Sequence, residues 1–404
     1  MKPPGNSQRV ATAVICAYGV YCIVHIALGP ERFQWDFCTY YYAARAWASG
    51  SSPYDGAVVA AVAGRPLNLY PYLPITLFLF RPFLLTDYRT ATMLFLGLKV
   101  LLLCGLMTVW WRGFVKGGSA VLFALLCLFA YRSALFLEMR AGNVFLLEQL
   151  LVWVGFACLL RRRFAWFCAL ILAGALFKIT TVLFLFLLLC VEGPRRKGWF
   201  WGGWAAFLVI IAASAVSAPW LFNEFLRTAA IKLGDESGLH QPSTLACMRD
   251  AVGLLASRGY ALPPAAAGAA YAAVAAGVVV TSACAVSVSR RRGRADAGMT
   301  AVCLGCLVYA LVLPRFKDYY YILLLVPSYF AVSRAPAGAA SALLCAMVIL
   351  PSLLSAENPL PIFTHDAAAL GLFWEYYPLV VAVLVWVLTI AKAVAPEPET
   401  GHDA

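Results

Sequence analysis

Apolar runs of about 18 residues or more recur from one end of this chain to the other. Each is long enough to cross the roughly 30 Å hydrocarbon layer of a bilayer as a helix. Of the 404 residues, 63% are hydrophobic and 12% charged, and the mean hydropathy is +0.82. A soluble domain of that balance would wear one continuous apolar patch. The chain therefore reads as an all-α polytopic membrane protein with about 11 to 13 transmembrane helices.

The charges orient these spans. The first run, 10–28, follows Lys2 and Arg9. It is too long for a signal-peptide core and lacks a small-x-small cleavage site, so it reads as a retained span with a cytoplasmic N-terminus. Much of the net charge of +12 sits in the clusters Arg161–Arg163, Arg195–Lys197 and Arg290–Arg294. Clusters between spans are orientation signals, and no nucleic-acid partner is implied. With them inside, 30–72 and 220–264 become outer loops, and the PRFKDYYY stretch at 314–321 faces outward. Of segments 73–85 and 90–111, one is expected to cross fully, because Arg112 and Lys116 prefer the inside. The 27-residue run 164–190 carries basic clusters on both flanks. A single span would leave one cluster outside, whereas two half-spans turning near Lys178 keep both inside. Two alanine-rich stretches, 265–276 and 335–342, suit close helix packing. The whole forms one domain, 1–393, with a polar tail at 394–404.

Cysteine and histidine point away from a metal centre. Eleven of the 13 cysteines fall inside apolar runs, where they act as small hydrophobes. Cys38 and Cys247 lie in polar loops, and whether they pair is open. His25, His240, His365 and His402 are scattered, so no zinc site and no cofactor is expected. Dependence on a divalent ion stays open.

In this topology the unusual polar residues gather on the outer side. They are Asp36, Tyr70 and Tyr72, Arg140 with Asn143, Lys178, His240 with Gln241, and Arg315, Lys317 and Asp318. Ionisable groups at membrane depth are costly and mark sites, and outer cations run against the positive-inside rule. Together they suit an anionic ligand, most simply a phosphate at the outer leaflet. Each has a plainer reading. Asp36 suits the N-cap of a helix at 37–49, and the tyrosines, Tyr40 among them, suit an interfacial belt. Lys178 could snorkel, Arg315 and Lys317 could be loop charges, and Arg140 could pair with Glu138.

The stretch DFCTYYYAARAWASGSSPYD, which opens at Asp36, resembles the first outer loop of glycosyltransferase family 87, a GT-C family of polyprenyl-phosphate-mannose-dependent mannosyltransferases. NLYPYLPITLFLFRPF is similar to that family's Y-x-Y-P-P segment, and RAGNVFLL to its GN-V segment. ALFKITTVLFLFLLL is similar to its half-span pair, LHQPS to its N-Q-S loop, and LPRFKDYYYILLLVP to the motif closing its core. The resemblance runs in order from about Asp36 to Pro327. Departures are Leu73, Ile179 and Thr180, where many relatives carry proline, and Tyr319 or Tyr320, where many carry histidine. Tyrosine supplies no imidazole at these positions, and its hydroxyl can hydrogen-bond a sugar hydroxyl instead.

The resemblance implies a GT-C bundle with an amphipathic helix in the first outer loop, in the plasma or inner membrane, with an extracytoplasmic active site. Asp36 would be the general base. Lys178, Arg315, Lys317 and Arg140 would hold the donor phosphate, and Tyr40, Tyr70, Tyr72, Asn143, His240, Gln241, Asp318 and Tyr319 would contact substrate. The implied partners are a polyprenyl-phosphate sugar donor, a glycolipid or glycan acceptor of the envelope, and membrane lipids. The implied reaction is inverting hexose transfer, mannose foremost. An arabinofuranose donor is the alternative within the class, and a lipid-linked-sugar flippase the alternative outside it. The absence of an internal repeat weighs against the flippase.

Overall fold

The computed structural model describes residues 6–29, 33–115, 118–232, 238–349 and 368–396. Lys2, Lys116, His365, His402, most of the polar tail and the end of the run at 339–354 lie outside them. Among the described residues every regular element is helical. Among the described residues five helices are long and apolar enough to cross a membrane: Tyr88–Gly113, Ala120–Ala141, Arg196–Ser217, Ala266–Arg291 and Tyr377–Val394. Shorter apolar helices lie between them, among them Phe145–Leu160, Phe164–Ala175 and Ala297–Val312. The protein is an all-α polytopic membrane protein.

In chain order the helices are α1 (Asn6–Leu28), α2 (Trp35–Ala48), α3 (Gly56–Ala63), α4 (Leu77–Phe80), α5 (Tyr88–Gly113), α6 (Ala120–Ala141), α7 (Phe145–Leu160) and α8 (Phe164–Ala175). They continue as α9 (Leu187–Cys190), α10 (Arg196–Ser217), α11 (Pro219–Lys232), α12 (Thr244–Ser257), α13 (Ala266–Arg291), α14 (Ala297–Val312) and α15 (Leu325–Val332). Polar residues start several of them. Asp87 caps α5 through Thr90 N–H at 3.0 Å, and Ser119 caps α6 through Leu122 N–H at 3.2 Å. Such caps satisfy amide groups that an apolar surrounding would leave unpaired.

Of the two segments at 73–85 and 90–111, the second makes a full helix. The first is a short 3₁₀/α/3₁₀ stretch from Pro74 to Leu85, whose 12 residues span about 18 Å at helical rise and cannot cross alone. α6 is interrupted midway, where Tyr131, Arg132 and Ser133 take left-handed φ of 55°, 57° and 56°. Residues with side chains avoid that conformation. Tyr131 is held in it by a 2.8 Å hydrogen bond with Ser328 and by stacking on Tyr321.

The run 164–190 is broken. α8 stops at Ala175, Lys178 is extended (φ −138°, ψ 102°), and a 3₁₀ stretch from Ile179 leads into α9. The two limbs pack as a hairpin, so that Arg162, Arg163, Pro194 and Arg195 line one hollow. Arg162, Arg290 and Arg294 line an adjoining one. The three basic clusters thus share one end of the bundle. α7 runs from Phe145, next to Asn143, to Leu160 at that basic end, and its 16 residues separate the ends by about 24 Å.

The core lies between α6, α7, α14 and α15. Trp110, Trp153, Phe156, Leu307 and Tyr321 are almost fully buried in it, with edge-to-face packing among Trp110, Trp153 and Phe156. Such ring pairs add to the area term that drives packing. This core anchors the segments that build the opposite end.

Candidate active site

Asp36 is presented by α2, and its helix starts earlier than a cap at Asp36 requires. Gln34 is the N-cap residue, with left-handed φ 62° and ψ 33°, and Asp36 falls in the first helical turn. An acid there is still favoured by the helix dipole. Gln34 is fully buried and clamps the end of α6. Its N–H donates to Arg140 O at 2.6 Å and its Nε2 to Met139 O at 2.5 Å. Those are two of the carbonyls that a helix C-terminus leaves without intrahelical partners. Gly142 makes the approach possible. Its φ is +69°, and a Cβ there would meet Gln34 Oε1 at 2.7 Å and Gln34 Cα at 2.8 Å.

The α6–α7 corner that Gln34 holds carries Asn143. Phe145 N–H donates to Asn143 Oδ1 at 3.0 Å and Tyr72 OH to the same oxygen at 3.3 Å. A backbone N–H can only donate, so Asn143 must turn its amide nitrogen the other way. That Nδ2 donates to Asp36 Oδ2 at 2.8 Å, and Tyr319 OH donates to the same oxygen at 3.3 Å. Tyr40 OH bonds Tyr72 OH at 2.7 Å, which extends the chain Tyr40–Tyr72–Asn143–Asp36. Asp36 keeps 8% exposure. Its Oδ2 takes both side-chain bonds, and Oδ1 takes none among the described residues.

The carboxylate opens onto a cleft of about 560 Å³ lined on other sides by Lys178, Lys232, Arg315 and Lys317, with Tyr40, Tyr72, Asn143, Tyr319 and Tyr320 on its walls. Lys178 Nζ is buried and makes no hydrogen bond among the described residues. It sits 3.4 Å from the ring centre of Tyr320, with Tyr309, Phe316 and Phe145 rings at 5.3, 5.4 and 5.6 Å. Ring faces hold an ammonium electrostatically while leaving its three N–H donors for an anion. Below it Glu148 accepts from Thr181 Oγ1 at 2.7 Å, bracing the helix break. Arg315 Nε donates to the buried Gln241 Oε1 at 3.1 Å, which orients the guanidinium.

The remaining residues singled out by sequence sit behind or beside the cleft. Tyr70 is buried behind Tyr40, and its hydroxyl bonds Thr76 at 2.6 Å. Arg140 lies over the rings of Phe33 and Phe136, at 5.0 and 5.7 Å, and is not on the cleft wall. Glu138 pairs with Lys99 at 3.1 Å, so the plainer alternative of an Arg140–Glu138 pair is not formed either. His240 is exposed and off the wall. Asp318 opens the 3₁₀ turn Asp318–Leu324 that follows α14 and accepts from Tyr319 N–H at 2.8 Å. Burial pushes its carboxyl up to about 7, opposed by that N–H and by Lys317. Cys38 and Cys247 do not pair. Among the described residues no three of His, Cys, Asp and Glu group as metal ligands.

Sequence reasoning passed over Gln34, Lys232 and the Lys99–Glu138 pair, and noted Tyr320 only as a departure from the family's pattern. The Lys99–Glu138 pair had a signal. Both are charges inside long apolar runs, the criterion that singled out Lys178. In the fold they are 1% and 0% exposed, and Glu138 Oε1 also accepts from Leu146 N–H at 3.3 Å. The pair thereby ties the end of α6 to the start of α7, around the corner that bears Asn143.

Comparison with curated proteins and with solved structures found no match. The sequence model of glycosyltransferase family 87 matches residues 69–314. That span takes in Tyr70, Tyr72, Asn143, Lys178 and Gln241 and ends beside Arg315, while Asp36 reaches the same cleft from outside it. The match covers more than half of the chain, and this protein belongs to glycosyltransferase family 87.

Proposed function

We propose that the protein is an inverting hexosyltransferase that moves mannose from a polyprenyl-phosphate sugar to a glycolipid or glycan acceptor of the cell envelope. Family membership supports the transferase class. The observation that carries the finer reading is one cleft lined by a hydrogen-bonded carboxylate, Asp36, and by the cations Lys178, Arg315 and Lys317. The clustering of basic turns at the other end of the bundle supports an extracytoplasmic cleft in the plasma or inner membrane.

In this reading Asp36 Oδ1 takes the proton of the acceptor hydroxyl as its oxygen attacks the anomeric carbon. The new C–O bond forms on the face opposite the bond to the lipid phosphate, which inverts the centre. The electron pair of the breaking bond leaves on the phosphate, which needs no acid to depart. One carboxylate suffices, unlike the paired acids of glycoside hydrolysis. The leaving phosphate gains charge as the bond breaks, so Lys178 and Arg315 stabilise the transition state more than the bound donor. Asn143 and Tyr319 hold the base by Oδ2 and keep Oδ1 toward the acceptor. Tyr40 and Tyr72 supply the aromatic wall of the sugar pocket.

The test is purified, reconstituted protein assayed with a panel of polyprenyl-phosphate sugars and lipid acceptors. Transfer from the mannose donor, with an inverted anomeric centre in the product, is expected. Transfer from an arabinofuranose donor alone would replace mannose in this reading, and movement of donor across the bilayer without transfer would overturn it.

A further inference from the structure

The end of the bundle opposite the cleft holds a second constructed feature that the transfer reaction does not use. The turn after α7 and the turn before α10 face one another across a hollow of about 640 Å³, lined by Arg162, Arg163, Trp166, Pro194, Arg195 and Trp199. Two of these arginines have left-handed backbone, Arg162 at φ 58° and Arg195 at φ 56°. Arg162 ends α7 through Arg162 N–H to Leu159 O at 2.9 Å and Arg163 N–H to Cys158 O at 2.8 Å. That position favours glycine or asparagine. Arg195 is the N-cap of α10 and makes no side-chain cap bond, where Ser, Thr, Asp or Asn is favoured. Strained side-chain-bearing positions of this kind gather at ligand clamps.

Among the described residues no carboxylate pairs with the arginines of this hollow. Glu192 is 3.6 Å from Arg290, and Asp296 pairs with Arg294 and Arg334. The side chains of Arg162, Arg163 and Arg195 are exposed, and none of the three makes a side-chain hydrogen bond or ion pair among the described residues. Orienting the spans needs only positive charge near their ends. It does not need arginine at two positions where the backbone disfavours it, nor a hollow between them.

The walls say what the ligand is. Trp166 and Trp199 are 64% and 40% exposed, as in the aromatic belts at headgroup level. Along α10 the exposed side chains Trp201, Leu208 and Val209 continue into the apolar surface. An anionic group with an apolar body fits this surface better than a free ion. Planar guanidinium forks match phosphate geometry, and basic pockets between transmembrane helices hold anionic headgroups. We propose that the hollow between residues 161–163 and 193–195 binds the phosphodiester headgroup of an anionic phospholipid, with its acyl chains along α8 and α10. The proposal is independent of the donor and acceptor assigned above.

The test is native mass spectrometry and thermal unfolding of the purified full-length protein with phosphatidylglycerol or phosphatidylcholine. The wild type is expected to retain phosphatidylglycerol preferentially and to be stabilised by it. Arg162→Gly/Arg195→Gly removes two cations and both strained backbones while leaving Arg161, Arg163 and Lys197 to orient the spans. Its affinity for phosphatidylglycerol should fall by roughly fivefold per arginine. Its thermal stability without lipid should be unchanged or higher, a pairing of signs that a purely structural role would not produce. Arg162→Lys/Arg195→Lys, which keeps the charge, should lose less. Equal retention of the two lipids by the wild type, or undiminished phosphatidylglycerol binding by the glycine variant, overturns the proposal. So does equal stabilisation by millimolar inorganic phosphate, which would make this an ion site.

Discussion

Asp36→Asn separates the chemistry of the cleft from its architecture. Asp36 Oδ2 accepts from Asn143 Nδ2 at 2.8 Å and from Tyr319 OH at 3.3 Å. A carboxamide oxygen can take both bonds, and its NH₂ then faces the cleft where Oδ1 stood. Loss of the charge-assisted share of those bonds costs on the order of 1 kcal/mol, which lowers the unfolding temperature of a protein this size by about 2–4 °C at most. The amide accepts no proton. Transfer should fall by about 10²–10⁴-fold, a rise of about 3–5 kcal/mol in the barrier, while donor affinity stays near wild type. Turnover, donor binding and thermal unfolding on one purified preparation read all three quantities. Near wild-type turnover with intact folding would remove Asp36 from the reaction and leave it a first-turn acid of α2.

If the proposed reaction holds, Lys178→Ala and Arg315→Ala should each cut turnover by about 10²–10³-fold and weaken donor binding by less, because in that reading the phosphate charge they meet grows as the bond breaks. Unchanged kinetics in both would dissolve the phosphate cradle. Gln34→Ala strips the buried Met139 carbonyl of its side-chain donor and loosens the clamp on Arg140 O. It should cost about 1–3 kcal/mol of stability, visible as a lower unfolding temperature; wild-type stability would refute the clamp. Asp318 has its folded carboxyl raised to about 7 from 3.8, so the folded state holds the proton longer and its stability falls as pH rises between those values. Asp318→Asn keeps the acceptor for Tyr319 N–H and should gain stability relative to wild type at pH 8 but not at pH 4. An equal gain at both would show that burial of the charge is not the cause. Cysteines introduced at Arg163 and Arg195 should label from the same side of the membrane, and labelling from opposite sides would contradict the hairpin and the hollow between its ends.

Span length and charge partition are local properties, and the sequence alone determined the features that depend on them. The all-α membrane class, the long helices and the break near Lys178 can be read from apolar run length and from where arginines fall. The grouping of Asp36, Asn143, Lys178, Arg315 and Lys317 at one end of the bundle comes from the same partition, because four of them lie near an end of a run and Lys178 at the turn between two half-spans, and all five line the cleft. Helix starts are less legible. Asp36 has the residue type of a cap, yet Gln34 occupies that position because α6 offers it two carbonyl partners more than 100 residues away. Only the tertiary structure decided which polar groups meet. Asp36 and Tyr319 are 283 residues apart, and Lys99 and Glu138 are 39 apart on different helices. It also set Tyr320 under Lys178 and turned Arg140 onto Phe33, away from the cleft. Such contacts depend on how α2, α6–α7 and the loop after α14 pack at one end of the bundle. Periodicity and composition record which face of a helix is apolar but not which helix it meets, and the low dielectric of the bilayer makes each polar group's partner a matter of that packing.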